Sequence, residues 1–521
     1  MNEPVSTVII GAGFAGIGAA IRLQQSGIDD FVILERADRA GGTWRDNTYP
    51  GAACDIPSRL YSYSFAPNPD WPHTYSGSAD ILAYIESMIG AHDLHRRIRF
   101  GHNVSGLCYD ELAGAWEVSL ADRAPLYART VVLASGPLST PGFPAIEGIE
   151  TYTGKRMHSA EWDHGYDFAG KRIAVIGTGA SAVQIIPELV RTAGHVTVYQ
   201  RTPGWVLPRL NRRISPPMKH LYRAVPGAQS VARAGWYFGH ESIALGVVWN
   251  TPLTRLVEKV AKAHLRNQVR DPWQRRQLTP DYRAGCKRLL MTNDYYPALQ
   301  RDNCRLVTWP IARICENGIR TAEGVERRFD AIVFATGFEV SKQGTPIPVT
   351  GRRGRNLAAE WSHGAYAYKS FAVSGYPNLY FTFGPNSGPG HNSALVYMEA
   401  QIDAIVTAIS LILDRDLHSL DVFEPAQRTF NERLQRRLRD TTWNSGCRSW
   451  YLTEDGFNAT MFPGFASQYI AQMRGIDFTR DFRAIARGSD EQKSRSRDAG
   501  PSRRVVPAPC PPIPRSPARA R

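Results

Sequence analysis

Cysteine is scarce and scattered in this chain. Cys54, Cys108, Cys286, Cys304, Cys315, Cys447 and Cys510 are the seven in 521 residues, and no two are spaced as C-x-x-C. That excludes the common zinc knuckle and the dithiol redox centre. With no secretory leader, the expectation is reduced thiols, no metal and a cytoplasmic location. Acids are also in short supply, 48 against 62 Lys and Arg, for a formal net charge of +14. Such an excess raises nucleic acid or an anionic membrane as a partner. Part of it, however, sits from Gly488 onward, where eight Lys/Arg meet three acids in a Pro-, Ser- and Arg-rich stretch. That composition cannot bury a core and reads as a solvated, disordered tail, so no nucleic-acid partner is expected. Long apolar runs are missing as well. None approaches the roughly 20 residues needed to cross a bilayer, and the apolar start VSTVIIGAGFAGIGAAIRL is broken by glycines and lacks a basic leader. Membrane contact is expected to be peripheral at most.

What is present is enough chain for two or three domains, and two glycine loops that punctuate it. The first, VIIGAGFAGIGAAIRLQQSGIDDFVILER, runs from an apolar strand (Val8–Ile10) into Gly11-x-Gly13-x-x-Gly16, a helix and a second strand ending at Glu35. The first glycine makes the turn, the second admits a pyrophosphate, and the third allows helix and strand to pack; an acid at the strand end accepts ribose hydroxyls. In the second loop a strand (Ile173–Ile176) meets Gly177-Thr178-Gly179-Ala180-Ser181-Ala182, a helix and a strand (Val196–Tyr199), then Gln200-Arg201-Thr202 instead of an acid. An acid there would repel a 2′-phosphate, whereas Arg201 can bind one. The first loop suits FAD or NAD and the second NADPH. Two further strands ending in Ala-Ser/Thr-Gly, 130–141 and 330–340, are expected to return beside the two folds. Two dinucleotide sites without C-x-x-C imply hydride transfer from NADPH to a flavin.

Two fingerprints and three further stretches carry a family resemblance. Tyr152-x-Gly154-x-x-x-His158-x-x-x-Trp162-Asp163 matches, with Tyr in place of the usual Phe, the fingerprint of class B flavoprotein monooxygenases of the type I Baeyer–Villiger kind. Gly41-Gly42-Thr43-Trp44, Tyr49-Pro50-Gly51 and Asp55 fill a second fingerprint. GCKRLLMTNDYYPALQRDN, GPNSGPGHNS and GCRSWYLTEDGFN extend the similarity over about residues 1–480. The resemblance implies an NADPH- and O2-dependent flavin monooxygenase acting through a C4a-peroxyflavin on a ketone (or a sulfide) to give an ester or lactone. It also implies Arg288 as the cation at the oxygenated flavin and Asp55 as the residue that orients it. Lys287, Arg201 and Thr202 would hold the NADPH phosphate, and Trp450 would lie on a mobile loop closing over NADP. Thr43, Trp44, Tyr61 and Glu35 would be FAD contacts. Trp162 favours ketone oxidation over N- or S-oxygenation, the nearest alternative; an NADPH oxidase that only leaks peroxide is the second.

The expected fold is α/β with two Rossmann-like domains. FAD-binding segments at 1–148 and 346–484 would flank NADPH-binding segments at 149–203 and 285–345. A helical insertion is expected at 204–284, a mobile loop near 440–458 and the basic tail at 485–521. The stretch 152–163 is too mixed in polarity for a core strand and is expected to be the hinge between domains, with Gly154 in a tight turn and His158 bonded to backbone.

Overall fold

The structure, a computed structural model, describes residues 3–340, 345–447 and 449–488. It holds two large Rossmann-type sheets, the first parallel at its centre with an antiparallel flank and the second parallel throughout. Strands β1 (Val5–Ile10), β2 (Phe31–Leu34) and β3 (Leu126–Leu133) form the centre of the first, with helix α1 (Phe14–Gln25) between β1 and β2. β1 pairs in parallel with both neighbours, Ile9 opposite Ile33 and Val132. β1 is buried along its last four residues and β2 along its whole length, so both faces are covered and the run is continuously apolar rather than alternating. Chain from far downstream completes this sheet: Leu379–Phe381 pairs with β3, and Val349–Thr350 with the outer strand Val104–Asp110.

The second sheet uses β4 (Lys155–His158), β5 (Arg172–Ile176), β6 (His195–Tyr199), β7 (Cys304–Val307) and β8 (Ala331–Phe334), in the order β7-β6-β5-β8-β4. All its pairings are parallel. Helix α2 (Ala180–Thr192) crosses from β5 to β6. β4 adds what the reading of 152–163 left out: this polar stretch supplies an edge strand, with Lys155 opposite Ala331 and His158 opposite Phe334. An edge strand with one covered face tolerates Lys and Arg at its outer positions.

Between the halves of the second sheet lie helices α3 (Pro216–Ala224), α4 (Ala228–Val247) and α5 (Pro252–Gln268) and a short helix, Pro272–Gln277. They are bracketed by a two-residue strand pair, Val206–Leu207 with Leu290–Met291. Among the described residues one helix, α6 (Ala394–Asp414), is long and apolar enough to cross a membrane, and about two-thirds of its most apolar window is buried inside the protein. It packs on α1 as a core helix. The terminal strand Phe482–Ala486 pairs with Leu417–Val422 and overlaps the start of the stretch read as tail; the rest of that stretch, from 489, lies outside the described residues.

Candidate functional site

Each sheet closes its glycine loop with the carbonyl of a returning strand. Gly11 sits at φ +109°, where a Cβ would stand 2.6 Å from the Ala134 carbonyl oxygen just past β3. Gly177 sits at φ +119°, with the Ala335 oxygen just past β8 at 2.4 Å. Only glycine tolerates both the dihedral and the approach. A Cβ on Gly16 would meet the Gly11 oxygen at 1.9 Å, so the third glycine is fixed by helix–strand packing. The middle glycines differ. A Cβ on Gly179 would meet nothing within 4 Å, and one on Gly13 only the Gly42 backbone at 3.6 Å. Gly13 and Gly179 precede α1 and α2 without a side-chain cap, leaving open, donor-lined helix N-termini. These fit the pyrophosphates of FAD and NADPH. Ala180 and Ser181 open α2, and Thr178 Oγ1 donates to the Thr202 carbonyl at 3.0 Å, holding the two phosphate-side segments together.

Glu35 is buried and already engaged. Its carboxylate accepts from the amides of Ala12 at 2.9 Å and Ala37 at 3.0 Å, and from Arg45 at 2.9 Å. Arg45 is buried too and forks onto Asp46. A carboxylate has about four acceptor positions, so one is left for a ribose hydroxyl. At the other sheet Arg201 is exposed. Lys287 lies over the Tyr282 ring at 4.9 Å, and its ammonium is pushed down by burial and by the nearby Arg201 charge. Two cations held in each other's field are suited to a phosphate dianion.

The segment 41–55 bridges the sheets. Gly41 (φ +124°) and Gly42 (φ +52°) turn the chain into Thr43 and Trp44, whose indole N–H donates to the Tyr61 hydroxyl at 3.2 Å. The Tyr49 hydroxyl donates to Gln184 on α2 at 2.9 Å, and the Gln184 amide donates to the Ala53 carbonyl at 2.9 Å. Docked in this way, Asp55 meets Arg288 in a forked pair, Nε to Oδ2 at 2.7 Å and Nη2 to Oδ1 at 2.6 Å. Burial alone would raise the Asp55 carboxyl; the Arg288 charge and hydrogen bonds outweigh it and hold it below the usual carboxylate range. The same carboxylate, against burial, raises the guanidinium still higher. Arg288 keeps 41% of its side chain accessible.

Trp450, the residue expected over NADP, is 46% exposed and packs edge-on against Tyr451 at 4.6 Å. Tyr451 is the buried member beside Arg288, its hydroxyl pushed up to about 12 by burial against the pull of that cation. The loop is also tethered: Cys286 and Cys447 form a disulfide with Cα atoms 6.3 Å apart. This corrects the expectation of wholly reduced thiols. The partners are 161 residues apart, and only the fold sets the segment carrying Arg288 against the C-terminal loop. Gly154 is explained by contact rather than by a turn, since a Cβ would lie 2.4 Å from the Tyr152 hydroxyl. His158 is buried, and its Nδ1 accepts from the Ala160 amide at 3.1 Å. Trp162 stacks on Phe168 in the core of the second sheet.

Two residues escaped the sequence reading. Arg45 looks like any surface arginine in the string GGTWRD. Arg209 sits under Tyr75 at 5.3 Å, donates to the Cys54 carbonyl at 2.9 Å and adds a second positive charge near Asp55. No motif marks either.

A family model described as pyridine nucleotide-disulphide oxidoreductase matches residues 8–228. A Baeyer–Villiger monooxygenase of Pseudomonas aeruginosa is 43% identical over 474 residues, 90% of this chain and 89% of its own. One of Streptomyces coelicolor is 42% identical, covering 92% of each. Among solved structures, a closed cyclohexanone monooxygenase superposes with TM-score 0.84 at 26% identity, over 93% of this chain and all of its own. An oxidised steroid monooxygenase bound to NADP does so with TM-score 0.81 at 29% identity and the same coverage.

Proposed function

We propose, for a chain that belongs to the Baeyer–Villiger monooxygenase family, that Arg288 is the catalytic cation and Asp55 the carboxylate that aims it. The protein is an FAD-dependent NADPH monooxygenase. Bound FAD, reduced by NADPH, supplies the activation of O2 from which one oxygen is inserted beside a ketone carbonyl, giving an ester or lactone. In this reading Gly11, Gly13, Gly16, Glu35, Thr43, Trp44 and Tyr61 hold FAD. Gly177, Thr178, Gly179, Ala180, Ser181, Arg201, Thr202, Lys287 and Trp450 hold NADPH, and Arg288 and Asp55 face both.

The observation that carries the proposal is the forked Arg288–Asp55 pair. A guanidinium stays charged at every working pH and is planar, so a two-point contact fixes its direction. Charge that develops on a carbonyl oxygen is stabilised most by a donor oriented beforehand. Asp55 supplies that orientation and is itself fixed by the Tyr49–Gln184–Ala53 contacts. NADPH supply supports a cytoplasmic setting, which thiol trapping of Cys286 and Cys447 in intact cells would test.

Arg288→Ala should still bleach the flavin with NADPH while ester formation falls by about 10²–10³-fold, the size seen for loss of one oxyanion donor. Cyclohexanone and a ketosteroid are the first probes, after the compounds for which two structural neighbours are named. Ester formed at the parental rate by Arg288→Ala removes the assignment. Oxidation of amines or sulfides alone by the parent would replace the reading with N- or S-oxygenation, and peroxide without product with an uncoupled oxidase.

A further inference from the structure

We infer that the α4–α5 hairpin is a docking surface for an anionic lipid bilayer. Large apolar side chains that face solvent gather on this hairpin. On α4, Val231 (73% exposed), Phe238 (68%) and Leu245 recur every seven residues and so share one face. On α5, Leu253, Leu256 and Val260 form a second exposed row at spacings of three and four, while Thr254, Glu258, Ala261 and Leu265 turn inward. The helices that carry the two rows touch closely at the tip of the hairpin: a Cβ on Gly246 would stand 3.3 Å from the Leu253 backbone. Folded chains seldom leave this many large apolar side chains in water on one element pair.

The charge around the rows selects the occupant. Residues 216–268 carry seven Lys/Arg and two acids. Both acids are used internally. Glu241 accepts from the Ser467 and Ala466 amides and His391, which hold its carboxyl down at about 2 against the effect of burial. Glu258 is 9% exposed and accepts from the Ala284 amide and Arg283. Arg255, Lys259 and Arg266 form an exposed basic row on α5 beside the apolar one. An apolar face flanked by long cations that extend to headgroups is the pattern of a helix lying in a membrane interface. A second copy docked through the same face would set these cations against their own kind. The segment 489–521, with eight Lys/Arg and three acids, carries the wrong sign to cover them.

The test is flotation of the full-length, FAD-loaded protein with phosphatidylcholine vesicles, with and without phosphatidylglycerol. Binding should require phosphatidylglycerol and weaken with salt. The triple variant Val231→Ser, Phe238→Ser, Leu256→Ser should lose it by at least about tenfold, since three apolar side chains that would enter the bilayer are removed together. Arg255→Gln with Lys259→Gln should weaken it by a smaller factor. NADPH oxidation at the parental rate shows that the variants are folded. Equal binding by the triple variant would assign the lipid contact to another basic segment and overturn the inference. So would no binding by the parent, or a parental dimer that the triple variant dissolves in vesicle-free solution.

Discussion

Both sheets seat their first glycine against the carbonyl of a returning strand, yet the residues at their two strand ends are built in opposite ways. Glu35 is buried, accepts three hydrogen bonds and is locked to a buried Arg45. Arg201 is exposed and shares its surroundings with a second cation, Lys287. The first arrangement suits a group that stays through every cycle, because its recognition residues are part of the core. The second suits a cosubstrate that must enter and leave, because its charges remain accessible and mutually repelled until a phosphate comes between them.

Breaking the buried acid should cost the most. Glu35→Gln takes a full charge away from the Arg45 guanidinium, which keeps Asp46 as its other carboxylate partner, and removing one member of a buried pair costs about 3–5 kcal/mol. Urea unfolding of the flavin-free protein should show this loss, while Arg201→Ala should unfold at the parental midpoint. Equal midpoints for the two variants would dissolve the contrast. The disulfide tests whether the NADPH side owes its order to a covalent tie instead. Cys447→Ser should cost about 2–4 kcal/mol, the usual range for a bridge. The parent treated with reductant should melt with the variant, and a parent indifferent to reductant would remove the bridge from the account.

On the open side, Arg201→Ala and Lys287→Ala should each raise KM for NADPH about 10–100-fold with kcat nearly kept. That is the size of a lost charge-assisted contact made equally in ground and transition states. The preference for NADPH over NADH should fall with it, and an unchanged preference would take the 2′-phosphate away from Arg201. The smallest effect concerns another buried acid. Asp421 meets Arg352 at 3.5 Å and the Gly375 amide at 3.0 Å, with Arg355 farther off, and burial outweighs them to push its carboxyl up to about 6. Its folded value lies above the unfolded value of about 3.9. Its stabilisation is therefore complete below that value and lost as pH rises through about 6. Asp421→Asn should flatten the stability profile between about pH 4 and 6 in equilibrium unfolding; an unchanged slope would mean the carboxyl ionises normally.

Period and punctuation made the two nucleotide folds legible, because a βαβ unit is local and its glycines answer constraints within thirty residues. The reading of 152–163 left out the strand at Lys155–His158 because an edge strand needs only one apolar face, and its partner, Ala331–Phe334, is far away in sequence. The resemblance put Trp450 on a loop that closes over NADP, and the residue beside it that turns inward, Tyr451, carried no signal in the sequence. Arg45 and Arg209 were invisible because burial of a cation is decided by what folds over it.

The sequence by itself determined the pair of dinucleotide loops, the acid and the arginine that distinguish them, and the family. Those features depend on backbone conformation and charge at fixed short spacings. The resemblance implied that Asp55 orients Arg288; only the tertiary structure decided that it does so as a two-point fork across 233 residues, that Cys286 reaches Cys447, and that the apolar rows on α4 and α5 are left exposed. Each depends on which distant surfaces meet, and no local spacing encodes that.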